Sequence, residues 1–380
     1  MSAVAVREVT SSEAVTSNRF DEPFVVRAAV RHWRALETWS LHGLAHASSS
    51  LGHDRLVTAQ FAPLDSIGTH TVGRGELDRA RRLCSLADFV RRFLLAREAL
   101  HGFERTLHWG YVSYCHLREL IGEDERCDDV DWRAFVADAR AIDSTLWIGS
   151  AGAFTPAHYD SYGCNWVAQL DGRKRWRLFA PSSADMPATR VPFEESTVWL
   201  AKDVRQCAGG FETTLEPGDV LFVPHRYWHF VESLTDSVSV NLWVPHADDA
   251  AAAQLEALAR ALVERLVAGL AIGDELALVN PSEDEGVAEE NLDDVTRLLH
   301  LRSPLTLERF IAAVLTSDVV DCMSRASPHL PPALLRAALE QRLRGASDGD
   351  APAVPHAQLL HAATQEPVLR AVYSSLLAAE

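Results

Sequence analysis

Thr155-Pro156-Ala157-His158-Tyr159-Asp160 is the stretch on which the reading of this chain turns, together with a distant partner, Trp228-His229. Side chains of an extended strand alternate between faces, so His158 and Asp160 point one way and Tyr159 the other. An imidazole and a carboxylate on one face, joined by a second imidazole from far along the chain, make a 2-His-1-carboxylate set. Such a set suits a non-haem Fe(II), held on three adjacent sites with the rest left open. An isolated H-x-D arises often by chance, and it is the strand context that raises this one. Pro217-Gly218-Asp219 is a turn signal, and Val220-Leu221-Phe222-Val223-Pro224 is the apolar run of a buried strand. Tyr227-Trp228-His229-Phe230-Val231 continues in β-favouring residues. His225, four before His229, is the competing ligand. On a helix that spacing would pair them as in zinc motifs, but Pro224 and the β-rich flanks argue against a helix.

The 380 residues suffice for one large or two modest domains, and 47% hydrophobic with 23% charged residues is ordinary for a soluble globular protein. A formal net charge of -17 argues against general binding to a phosphate backbone. The basic run Arg173, Lys174, Arg175, Arg177 reads as a strand in which Lys174, Trp176 and Leu178 share one face and the arginines the solvated other. Six scattered cysteines without C-x-x-C spacing favour reduced thiols and a cytoplasmic setting. The N-terminus lacks a signal-peptide pattern, and no apolar run is long enough to span a membrane.

Taken in order, residues 1–20 read as a loose polar lead-in and 21–143 as mixed α/β. A strand is expected from Phe24, a helix over Trp33–Leu44, and another capped by Ser85 that buries Phe89, Phe93 and Leu94. The segment from Ser48 to Ala80 is mixed, with Gly and His, and its pattern assigns no element. Leu107–Val112 reads as a strand, followed by helical residues from His116 to Ile121. The acidic run 123–131 reads as a solvated loop, since Ca²⁺-loop spacing is missing. Strands dominate residues 144–248. From 249 to 380 the chain reads as all-α, with helices over Ala250–Ile272, Leu292–Leu301, Leu307–Leu315, Pro332–Leu343 and His356–Ala379.

The run TPAHYDSYGCNWVAQLDGRKRWRLFAP, with EPGDVLFVPHRYWHFVESL and VSVNLWV, resembles the JmjC, or cupin-like, family of 2-oxoglutarate-dependent oxygenases. Within it the chain is most like the branch named for association with a small heat-shock protein, and it is related to the asparaginyl hydroxylase acting on hypoxia-inducible factor. The motifs cover about residues 105–245, and Pro23–Val30 with Trp33 resembles the family's opening strand. The resemblance implies a mainly β core, a double-stranded β-helix of jelly-roll type with N-terminal α/β decoration. It implies Fe(II) on His158, Asp160 and His229, with 2-oxoglutarate and O₂ as cosubstrates. Lys174 matches the lysine that holds the distal carboxylate of 2-oxoglutarate, an anion that needs a buried cation and hydroxyl donors. Thr155 and Tyr111 match the hydroxyl donors, with Tyr114 the alternative to Tyr111. Asn165 and Asn241 match amides near the cosubstrate, although the Asp160–Asn165 spacing is one residue longer than in the family. Ordinary strand filling is the competing reading for these five.

The implied reaction is hydroxylation of a protein or peptide side chain, with release of succinate and CO₂. Demethylation ranks below it, because no chromatin-reader motif accompanies the core. A free amino acid, a natural-product intermediate or a tRNA nucleoside are the alternative substrates, the last disfavoured by the acidic balance. A non-catalytic cupin scaffold and a zinc cupin isomerase or hydrolase are the contrasting classes. Trp166, Arg190, Glu194, Glu195 and Trp199 are guesses for a substrate groove. The C-terminal helices are read as a homodimer surface or as a lid on their own barrel.

Overall fold

A computed structural model describes residues 4–10, 21–47, 55–66, 79–120, 128–183, 186, 204, 207, 209–267, 288–345 and 354–379, to which all structural statements refer. The chain divides into two compact units, residues 1–187 with 196–246 and residues 188–195 with 247–380.

The strands of the first unit are, in order, β1 (Val4–Ala5), β2 (Arg7–Glu8), β3 (Phe24–Val26), β4 (Leu56–Pro63), β5 (Ala80–Ser85), β6 (His108–His116), β7 (Thr145–Gly149), β8 (Phe154–His158), β9 (Cys164–Asp171), β10 (Lys174–Phe179), β11 (Phe211–Leu215), β12 (Val220–Val223), β13 (Trp228–Ser233) and β14 (Ser237–Val244). They form two sheets, ordered β1-β11-β10-β13-β8 and β2-β3-β12-β9-β14-β7-β6-β4-β5. From β7 onward the chain crosses repeatedly between them, leaving β8, β10, β11 and β13 in one and β7, β9, β12 and β14 in the other. Two antiparallel four-stranded sheets linked in this way are a jelly roll, the double-stranded β-helix expected above.

Burial follows the residue pattern. In β10, Lys174, Trp176 and Leu178 are buried while Arg175 and Arg177 are half-buried, paired with Glu232 and Glu212 at 2.6 Å each. The apolar run of β12 is buried throughout, as befits a strand covered on both faces. Trp166, read from sequence as a groove residue, is instead a core residue, packed on Phe24, Phe135 and Phe222. Its large apolar ring lies on the face of β9 that turns toward the N-terminal decoration.

Several other expectations are corrected. Val4–Ala5 and Arg7–Glu8, placed in the loose lead-in, pair in parallel with β11 and β3. Two-residue pairings of this kind cap exposed sheet edges. The expected single helix over Trp33–Leu44 is two, α1 (Ala35–Thr38) and α2 (Leu41–Ala47). Ser40 Oγ accepts from Gly43 N and Asp171 Oδ2 from Leu41 N, so a fresh N-terminus starts there. Ser85 does cap α3 (Leu86–Asp88), accepting from Asp88 N at 3.0 Å, but the helix widens to a π-turn over Phe89–Leu95. Phe89 and Phe93 there press so close to Gly110 that a Cβ on it would lie 2.5 Å from the Phe93 ring. Within Ser48–Ala80, residues 56–63 form β4. The strand β6 runs on through His116, and the helix that follows is described as α4 (Leu117–Leu120), Ile121 lying outside the described residues. In the acidic run Asp129 is not solvated: it is 2% exposed and accepts from Thr38 Oγ1 at 2.6 Å.

The second unit has its own apolar core. It is built from α5 (Asp249–Val267), α6 (Ala288–Leu298), α7 (Leu307–Val314), α8 (Ser317–Ala326), α9 (Pro332–Arg344), α10 (His356–Ala363) and α11 (Glu366–Ala378). The polar α8 has no counterpart in the sequence reading, and the expected helix over His356–Ala379 is broken in two at Thr364-Gln365. No described helix is long and apolar enough to cross a membrane.

Candidate functional site

The register of β8 on β13 makes the site. His158 and His229 are direct cross-strand partners, and their ring centroids lie 4.1 Å apart. Asp160 follows just past the end of β8, with Oδ1 3.8 Å from His158 Nε2. One ligand atom from each of the three residues lies within 4.8 Å of the others. Tyr159 turns the other way and packs edge-on against Trp228. His225 takes no part: its Nδ1 contacts Gly163 O, and its ring stacks on His246.

Both imidazoles are set as metal ligands usually are. His158 Nδ1 lies 2.8 Å from Pro156 O, and His229 Nδ1 lies 2.9 Å from Tyr227 O. A carbonyl can only accept, so Nδ1 carries a proton in both rings, which leaves Nε2 as the nitrogen available to a metal. Burial above all, then the neighbouring His158 ring, holds His229 well below the usual imidazole range. It is therefore neutral at physiological pH, as a ligand must be.

A bulge decides what else faces inward. Opposite His229 and Val231 on β13 stand His158 and Thr155 on β8, four residues of β8 against three of β13. Strict alternation would turn Thr155 away from His158, and the extra residue brings both to one cavity. Pro156 sits at that irregularity, where a missing N–H does no harm. The same happens in β6, where the register slips between Val112 and Cys115 and Tyr114 adopts a left-handed φ of 51°. Tyr111 and Tyr114, three apart, both line the cavity.

This cavity measures about 420 Å³ with the solvent at its open mouth included, and the His158/Asp160/His229 cluster lines it. Lys174, 2% exposed, also lines it. Its Nζ donates to Ser239 Oγ at 2.7 Å and lies 5.6 Å from the Tyr111 ring centre. No carboxylate pairs with it among the described residues. Burial therefore acts unopposed and pulls its pKa down to about 7. The Tyr111 hydroxyl lies 3.4 Å from Thr155 Oγ1. Tyr114 lies half exposed against Trp147 instead, which favours Tyr111 of the two tyrosines as the partner of Thr155. Asn165 and Asn241 also face the cavity, bonded to one another (Asn241 Nδ2 to Asn165 Oδ1, 2.8 Å).

Sequence reasoning missed Trp147, Ser239 and Trp243, which line the same space. Two of them were legible, since Ser239, Asn241 and Trp243 fall at alternate positions of one strand. Arg190, Glu194, Glu195 and Trp199 lie outside the described residues.

Two facing four-stranded sheets around such a cavity define a protein of the cupin type. The chain belongs to the Cupin-like domain family, which it matches over residues 10–250. Over 200 residues it is 40% identical to a Danio rerio protein named HSPB1-associated protein 1 homolog, covering 48% of this chain and 44% of that one. Against Homo sapiens HSPB1-associated protein 1 it is 39% identical over 197 residues, with 48% and 40% covered. Against a Drosophila melanogaster protein named Jumonji C domain-containing protein 5 it is 32% identical over 243 residues, with 58% and 54% covered. The chain thus spans about half the length of the curated relatives it matches. With JmjC-domain proteins among the relatives, the family is of the 2-oxoglutarate- and Fe(II)-dependent oxygenase type.

Proposed function

We propose that the protein is an Fe(II)- and 2-oxoglutarate-dependent oxygenase that hydroxylates a protein or peptide side chain. The observation that carries this is Lys174, a buried amine with no carboxylate partner among the described residues, in a cavity also lined by two imidazoles and a carboxylate. Burial disfavours its charged form, and an anionic ligand in the cavity would favour that form. The donor set, two imidazoles and one carboxylate, fits Fe(II). In this reading His158, Asp160 and His229 hold the metal, while Lys174 with the Thr155 and Tyr111 hydroxyls holds the far carboxylate of the dicarboxylate. Fe(II), 2-oxoglutarate and O₂ together supply the oxidising chemistry that leaves a hydroxylated carbon, succinate and CO₂. The protein's share is to orient these groups and to keep water from them.

A protein substrate is favoured over nucleic acid by the net charge of -17, and by relatives whose printed name speaks of association with another protein. Free thiols at the described cysteines, with Cys84 and Cys115 pushed by burial up to about 11 and about 12, suit a reducing cytoplasm.

Succinate release by the purified protein tests the reading. It is expected with Fe(II) and 2-oxoglutarate together and to drop to background in His158→Ala and in Lys174→Met. Failure to bind either ligand would make the protein a scaffold, and activity with tightly held zinc but no 2-oxoglutarate would make it another kind of cupin enzyme. Mass spectrometry of cellular peptides for an added oxygen that depends on His158 would then find the substrate.

A further inference from the structure

The metal-site reading, on which this inference rests, leaves open what fixes the carboxylate of Asp160. Two hydrogen bonds meet on its Oδ2, one from Asn165 Nδ2 at 3.1 Å and one from Trp243 Nε1 at 2.9 Å. Asn165 is held in turn by Asn241 Nδ2, which donates to its Oδ1 at 2.8 Å, and Asn241 Oδ1 accepts from Trp147 Nε1 at 2.7 Å. The sense of every link is forced. An indole N–H can only donate and a carboxylate can only accept, so neither amide can turn over without losing a bond on each side. Asp160 Oδ1 receives neither of the two bonds and is the oxygen nearest His158 Nε2.

We propose that Asn165 and Trp243 are positioning residues that fix Asp160 as a one-oxygen metal ligand, and that Asn241 and Trp147 hold Asn165 in the orientation this needs. The assignment differs from the one the family resemblance implies, in which both asparagines serve the cosubstrate. Both asparagines are at least 95% buried, and a buried amide left unbonded is unfavourable, so a flip after loss of one partner is resisted along the whole chain. Outer partners of metal ligands act in this way generally, and removing one weakens the metal by about ten- to a hundred-fold.

The test uses full-length protein and Co(II), whose visible absorption reports ligand number and whose affinity is read by calorimetry. Asn165→Ala and Trp243→Phe are expected to weaken Co(II) by about ten-fold or more and to change the absorption band as the second carboxylate oxygen becomes free to bind. Trp147→Phe is expected to weaken it less, and to add nothing in an Asn165→Ala background, because it acts only through Asn165. In unsubstituted protein the indole N–H resonance of Trp243 is expected to move when Zn(II) is added, a readout that survives misfolding of any variant. Unchanged affinity and spectra in Asn165→Ala and Trp243→Phe, or a Trp243 resonance indifferent to Zn(II), overturn the proposal. Unsubstituted protein that binds no Co(II) overturns the metal-site reading, and this inference with it.

Discussion

At the scale of single residues, Lys174 is where stability and ligand binding pull apart. The unfolded chain keeps this ammonium protonated up to about pH 10.5, the folded protein only up to about 7. Between those values the unfolded state binds more protons, so stability rises with pH across that window and the penalty is full below about 7. Lys174→Met is therefore expected to stabilise the unliganded protein by about 2–4 kcal/mol at neutral pH, and to flatten the rise toward pH 10. The same variant is expected to lose 2-oxoglutarate binding, measured by calorimetry beside denaturant unfolding at several pH values. In the parent protein, 2-oxoglutarate binding at pH 8 is expected to take up close to one proton, seen as a binding enthalpy that depends on the buffer. A calorimetric signal indifferent to the buffer would mean that Lys174 is charged before the ligand arrives. Much of this was readable from residues alone: alternation set Lys174 inward with Trp176 and Leu178, and set His158 beside Asp160. Thr155 was not, because its inward turn depends on an extra residue that no period of two contains.

Elements carry the next layer, and irregularities in them build the site more than regular pairing does. The slip in β8 gathers Thr155 with His158, and the slip in β6 gathers Tyr111 with Tyr114. Tyr114 keeps a left-handed backbone at a non-glycine residue, an arrangement costing about 1 kcal/mol or more that persists at functional sites. The turn before β10 is equally constrained. Gly172 has φ of 64°, and a Cβ there would run into the carbonyl oxygen of Asp236. Gly172→Ala is expected to destabilise the protein by about 2–4 kcal/mol, read as a lower denaturant midpoint with unchanged slope. It should also weaken 2-oxoglutarate binding, since Lys174 is two residues on. Sequence patterns missed elements whose existence rests on distant partners. The pairs at residues 4–5 and 7–8 are too short to show a period, and exist because β11 and β3 offer free edges. The helix α8 is polar along much of its length, and Val319, Val320 and Met323, with Cys322 packed beside them, seat it in the second unit's core.

For the whole molecule, the two units can be tested apart. Among the described residues the apolar cluster of the second unit draws on Leu255 to Leu376, so residues 247–380 alone are expected to unfold cooperatively with a helical signal in circular dichroism. Gradual, non-cooperative melting would contradict an independent core. Zn(II) in excess is expected to raise the melting temperature of the full chain but not of that fragment, nor of His158→Ala. At a hundred times its dissociation constant a ligand adds about 2.7 kcal/mol. The alternation of the core strands between two sheets has a kinetic side as well. His158 sits near the start of the roll, whereas His229 arrives on its penultimate strand and Asn241 on its last. A refolding chain completes the trap only when the long-range pairing of β8 with β13 forms. Zinc uptake followed with a chromophoric chelator should appear only in the final phase, turning the metal into a clock for barrel closure.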